Sequence, residues 1–218
     1  MDLQNLSRAF LKTMVDYNQA TYPAQIFIFT VGLILTILLY RKPGKITRIA
    51  MKAYLFFCFS WISVVFFIMH GSSELRKEFS AGLFGLIAIC FLIDIFIDKM
   101  KFERNRTYDK GVFLFYTLFL AYPLVSLLLG REFLELVNWL MPCPLTVFTI
   151  TLLISFMSKA NYPVYALLII WALTGAPKSI LFDVPEDIIL GLSGLYAIVV
   201  FVVHKKHSRQ IEAGSLHT

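Results

Sequence analysis

The grouping of its apolar residues constrains this chain more than any other feature. They fall into blocks of roughly 14–20, about what a helix needs to approach or cross a ~30 Å hydrocarbon core, and short polar stretches separate them. The composition agrees: 58% of the 218 residues are apolar and 16% are charged, against roughly half and a quarter in soluble domains. The mean hydropathy of +0.73 points the same way. The blocks therefore read as an all-α, polytopic transmembrane helix bundle of about seven spans. They are drawn at 24–40, 53–70, 79–97, 111–129, 145–158, 163–182 and 188–203, in a single transmembrane domain over 1–204. Residues 205–218 (KKHSRQIEAGSLHT) form a polar, frayed tail.

Ahead of the first span, Leu3, Leu6, Phe10, Leu11, Met14 and Val15 share one helical face, while Arg8, Lys12 and Asp16 lie elsewhere. This spacing predicts a short interfacial helix over 3–17, with Tyr22 and Pro23 leading into the first span. No small-residue cleavage site follows a short apolar core, so the first apolar block reads as a retained anchor.

The net charge of +6 raises nucleic acid as a partner, but its distribution argues otherwise. The cations lie in loops between apolar blocks and not on one phosphate-binding stripe. Placing the loop after the first span in the cytoplasm puts Arg41, Lys42, Lys45, Arg48, Lys52, Lys99, Lys101, Arg104, Arg106, Lys110, Lys159, Lys205, Lys206 and Arg209 on that side. These are 14 of the 20 Lys and Arg. Arg8, Lys12, Arg76, Lys77, Arg131 and Lys178 remain on the other. The positive-inside rule then gives an outside N-terminus and a cytoplasmic C-terminus, as an odd number of spans requires.

Two spans are irregular. The fifth has only about 14 apolar residues, about 21 Å at helical rise. It follows Pro142-Cys143-Pro144 and an amphipathic stretch over 132–141. The expectation is an interfacial or re-entrant helix, a proline-fixed turn and a short helix. The sixth is interrupted at Thr174-Gly175-Ala176-Pro177-Lys178, where Pro177 clashes with the carbonyl of Leu173. Pro123 should kink the fourth in the same way. Ala81, Gly85 and Ala88, and then Gly191, Gly194 and Ala197, mark faces where helices can approach closely in lipid.

The candidate chemistry sits near these breaks. Cys143 stands between two prolines at a helix start, where the positive end of the dipole favours a thiolate. Thr146 and Thr149 follow on the same short helix, either lining a solute site or bonding back to their own backbone. Lys178 either meets an anionic group or snorkels to the surface. Asp94 lies inside the third span with Asp98 on the same face; it is either functional or paired with Lys99, Lys101 or Arg104. Tyr122 adjoins the proline of the fourth span, and His70 ends the second as a weak metal candidate. Asp183, Pro185, Glu186 and Asp187 read as an ordinary helix start. Cys58, Cys90 and Cys143 have no CxxC spacing and are too few for a disulfide framework. There is no GxGxxG or P-loop, no HExxH or GxSxG, and no lysine in the seventh span for a retinal Schiff base. No pair of spans carries in-register histidines for haem. No cofactor is implied, and no catalytic set is recognisable.

The order of DYNQATYPAQ at 16–25, LFG at 83–85, AYPLVSLLLG at 121–130, PCPLTVFT at 142–149, and WALTGAP through VPEDIILGLSG at 171–194 resembles a family of uncharacterised bacterial multi-pass membrane proteins. The Pro-Cys-Pro-x-Thr-x-Phe-Thr segment is its most specific part. The resemblance implies a bacterial membrane and supplies no activity. These readings lead to three expectations. The first is binding or passage of a small solute or ion among the broken helices, carried by Cys143, Thr146, Thr149, Lys178, Asp94 and Tyr122. The second is a non-catalytic scaffold or accessory subunit in a homo-oligomer or with a membrane partner. The third and weaker is a redox or metal site at Cys143 and His70. Each places the chain in the plasma (inner) membrane, in contact with lipid and with no nucleic acid.

Overall fold

The computed structural model describes residues 3–72, 77–156 and 161–215, the last ten by backbone alone. Every regular element among them is helical. Helix α1 runs Leu3–Arg41 and α2 Lys45–Trp61, continued by a π-helical stretch Ile62–His70. Then come α3 (Lys77–Ile97), α4 (Asp109–Leu128), α5 (Pro142–Ser155), α6 (Tyr162–Ala172), α7 (Gly175–Leu181) and α8 (Ile188–Ser215). Six segments are long and apolar enough to cross a membrane: Gln4–Arg41, Lys45–His70, Lys77–Ile97, Asp109–Leu128, Tyr162–Leu181 and Pro185–Lys205. Pro142–Ser155 is a further apolar helix, shorter than these six.

The physical division between these helices is clear. The long ones carry exposed apolar side chains such as Phe27, Phe79, Phe96, Phe113 and Ile180, the surface expected where the surroundings are lipid. In α5 all residues from Pro142 to Ser155 are buried. A helix apolar on every side must be enclosed, and α4, α6 and α8 pack around it. The bundle is thus built around a short central helix.

Three local expectations change. The segment 3–17 is helical, but it does not stop at Pro23; α1 is one 39-residue helix with that proline inside. At helical rise it is about 58 Å long, nearly twice a ~30 Å core, so much of it must tilt or project. Its buried residues Thr13, Met14, Tyr17, Asn18 and Gln25 explain why it continues. Among them Tyr17 and Asn18 hold the segment before α5.

That segment is the second change. Residues 132–141 form no interfacial or re-entrant helix; a 3-10 turn, Phe133–Glu135, leads into non-helical backbone up to Met141. Irregular backbone at membrane depth needs partners inside the protein, and α1 supplies them. Asn18 Nδ2 donates to the carbonyls of Leu134 (2.8 Å) and Leu136 (3.0 Å), and Asn18 Oδ1 accepts from Gln25 and Asn138. Tyr17 Oη donates to Leu140 O at 2.7 Å and accepts from Trp61 Nε1. Ser126 Oγ of α4 accepts the Val137 N–H. The third change is at the C-terminus, where the backbone past Lys205 remains helical to Ser215. Helix α4 also stays helical through Pro123.

The sixth span is broken where its sequence requires, between α6 and α7. Gly175 begins α7 because a Cβ there would lie 2.7 Å from both Asp187 O and Gly191 N. A Cβ on Gly194 would lie 2.8 Å from Ala172 Cβ. These glycines let the broken span lie directly on α8.

At one end of the bundle, Lys52 joins α2 to α3. Its buried Nζ lies 2.7 Å from Asp94 and 2.7 Å from Asp98 and donates to Asp94 O. Asp94 also accepts the N–H groups of Lys99 and Met100. Arg48 and Lys101 complete the cluster on Asp98. Asp98 has φ of 45° as it leaves α3, a left-handed position that Asp tolerates better than most residues.

Candidate functional site

The opposite end carries a cavity between the N-terminal half of α1, the π-helical stretch, the start of α5 and the α6–α7 break. About 60 Å³ of it is open to the centre of a water-sized sphere, several times the ~10–15 Å³ that one water needs. The wall is mostly apolar, with Phe10, Met14, Phe66, Phe67, Met141 and Phe182 prominent. Polar groups enter it from five elements: Lys77 from α3, Cys143 from α5, Trp171 from α6, Lys178 from α7, and Asp187 from the turn before α8. A π-helical stretch beside a cavity is a feature often found at functional sites.

Each polar group is held by identifiable geometry. Pro142 at the first position of α5 sets the chain direction, and Cys143 Sγ donates to Asp187 Oδ2 at 3.1 Å. The group at this helix start is therefore a thiol facing a carboxylate, not a thiolate facing a cation. Lys178 does not snorkel away. Its Nζ sits 3.0 Å from the centroid of the Trp171 ring, a cation–π contact. Trp171 is 5% exposed, and its Nε1 faces Cys143 without closing a hydrogen bond. It is an unused donor in the cavity wall.

Behind the cavity, Glu186 ties α4 to α8. Its Oε1 accepts from Ser126 Oγ (2.6 Å) and Arg131 Nε (3.1 Å). Arg131 also donates to the carbonyl of Asp183. The guanidinium is aimed by the end of α4. Gly130, at φ 84°, reverses the chain while Arg131 N–H bonds Ser126 O and Gly130 N–H bonds Leu127 O, a Schellman closure. Asp183, at φ 55°, closes α7 the same way, with Val184 N–H on Ser179 O. Asp183 thus ends one helix and does not cap the next, and the buried Glu186 and Asp187 are more than first-turn acids. Tyr122 Oη and Glu186 Oε2 are buried without a hydrogen-bond partner.

The structure brings Cys143 and Lys178 to the cavity, with Tyr122 buried behind it. It does not bring the others. Thr146 and Thr149 donate to Pro142 O and Leu145 O, bonding back onto their own helix. Asp94 belongs to the Lys52 cluster at the far end. His70 meets the ring of Tyr17 edge-on, and among the described residues no group of three or more His, Cys, Asp or Glu is placed to hold a metal. Residue reading missed Asp187, Trp171 and Lys77. Asp187 had a signal, since two adjacent acids in an otherwise apolar stretch exceed what a helix start needs. Trp171 and Lys77 had none.

The fold and this arrangement define an α-helical protein with membrane-span helices around a buried short helix, carrying a mostly apolar cavity with polar groups at one end. The chain belongs to DUF6064, a family of unknown function, which matches residues 7–212. No curated protein and no solved structure matches it.

Proposed function

We propose that the protein binds a small, largely apolar molecule carrying an anionic group, held in the cavity at the Cys143 end of the bundle. The observation that carries this reading is the donor set in an apolar wall: Lys77, Lys178 and the unpartnered Trp171 N–H. Ligand sites combine apolar walls with a few convergent polar groups in this way. Asp187 accepts from Cys143 and lies within electrostatic reach of Lys178; an acceptor brought in by the ligand completes the set for Lys77 and the Trp171 N–H. Binding is favoured over passage along α5, because that helix is enclosed and its threonine hydroxyls are spent on its own carbonyls.

We place the protein in a bacterial inner membrane, with the Lys52 end in the cytoplasm and the cavity at the outer side. Clustering of Arg41, Lys45, Arg48, Lys101 and Arg104 at helix ends on the Lys52 side supports this under the positive-inside rule.

The test is quenching of tryptophan fluorescence by 2-bromooctanoate in purified protein. Saturable quenching that disappears in Trp171→Phe and weakens in Lys178→Gln is expected. Quenching that never saturates and is unchanged in Trp171→Phe would overturn the proposal. It would favour a scaffold, for which a co-purifying membrane partner is the expected sign.

A further inference from the structure

One residue lines both the cavity and the exposed surface of the bundle. Lys77, the first residue of α3, lines the cavity and also lines a groove on the outer face between the π-helical stretch and α3. Beyond Lys77 and Glu78 the groove is mostly apolar. Ile68, Leu86 and Ile89 form its sides, each about half exposed. Its floor is made of small residues. Ser63 Oγ is spent on Ala81 O at 2.7 Å. A Cβ on Gly82 would meet nothing within 4 Å, and one on Gly85 only Ser63 Oγ at 3.4 Å.

The groove also has the right length and register. Lys77 to Ile89 along α3 is about 18 Å at helical rise, close to the ~15 Å of one leaflet's hydrocarbon. A cation therefore stands at the helix end, and an apolar trough runs from it towards the bilayer midplane. Among the described residues Lys77 has no ion-pair partner. The acid beside it in the groove, Glu78, is exposed.

We propose that the groove and cavity together bind a single-chain anionic lipid taken laterally from the bilayer. The acyl chain lies along Gly82, Leu86 and Ile89. The carboxylate head passes Lys77 and turns inward to Lys178 and the Trp171 N–H. This deepens the reading above and rests on it. An anionic head supplies the acceptor that the three donors lack. One trough leading from one cation favours a single-chain occupant over a diacyl lipid.

The experiment uses the full-length protein in phosphatidylcholine nanodiscs with a hexadecanoate carrying a mid-chain diazirine. Photolysis followed by peptide mapping is expected to place crosslinks on Leu86 and Ile89. Unlabelled hexadecanoate should compete, and Lys77→Gln should lose most of the signal. Gly82→Phe, which fills open space, should remove the crosslinks while leaving thermal stability intact. Crosslinks spread evenly over the lipid-facing helices and insensitive to competition would overturn the lipid proposal, as would displacement by phosphatidylglycerol in preference to hexadecanoate. If these fail while Trp171-dependent quenching persists, the cavity reading stands and only the lipid route falls. If both fail, the cavity reading falls with it.

Discussion

Lys52→Met tests the packing argument most directly. Lys52 is fully buried, and its three ammonium protons have three acceptors: Asp94 Oδ2, Asp98 Oδ1 and the Asp94 carbonyl. Methionine keeps the stem and removes the charge. Breaking a buried ion pair from one side costs roughly 3–5 kcal/mol, because the remaining charge stays buried. Some relief is built in. Asp98 keeps Lys101 and Arg48, and Asp94 keeps the N–H groups of Lys99 and Met100. The loss therefore falls on Asp94, whose side chain is 4% exposed, and the lower end, about 3 kcal/mol, is expected. For a chain of this size that is about 6–12 °C in Tm. The assay is reversible unfolding in mixed micelles with increasing SDS, alongside Asp94→Leu and the double variant. Replacing both partners with apolar groups should recover most of the loss, since a well-packed apolar pair often matches a buried ion pair. A cost below about 1 kcal/mol for Lys52→Met would refute the reasoning, because that is the range of solvated surface pairs.

Other predictions follow from single contacts. Asn18→Ala should cost at least about 3 kcal/mol in the same assay, since it strands several buried groups at about 1–3 kcal/mol each; a change within 0.5 kcal/mol would show that the 134–140 segment does not depend on α1. Gly175→Ala should destabilise by about 1–3 kcal/mol, because its Cβ meets backbone atoms, whereas Gly82→Ala should be neutral or stabilising by up to about 1 kcal/mol. Asp98, held below the usual carboxylate range by Lys101 and then Lys52, binds fewer protons when folded. Its contribution is complete above the unfolded pKa and is lost as pH falls through the folded value, so Asp98→Asn should flatten the acid limb of stability against pH. Cys143, 7% exposed, should resist a bulky maleimide and react with methyl methanethiosulfonate, and 2-bromooctanoate should slow that reaction; equal reaction of both reagents would show the cavity to be open.

The architecture was legible in the sequence because bilayer-length apolar blocks separated by basic loops leave few other folds. The short fifth helix and the break near Pro177 were legible for a local reason: the count of apolar residues and the missing proline N–H act within a few residues of themselves. The 132–141 stretch misled because its apolar spacing resembles an amphipathic helix, while its carbonyls are taken by Asn18 and Tyr17, more than a hundred residues away. The site divides the same way. Cys143 and Lys178 stood out by their proline neighbours, but the separation of Thr146, Thr149 and Asp94 from them could not be seen in a linear order. Asp187 meets Cys143 across 44 positions, and Lys52 meets Asp94 across 42. Hydropathy and proline chemistry are properties of a segment and can be read along the chain. Which buried donor finds which acceptor depends on how the helices pack, and only the tertiary structure decided that.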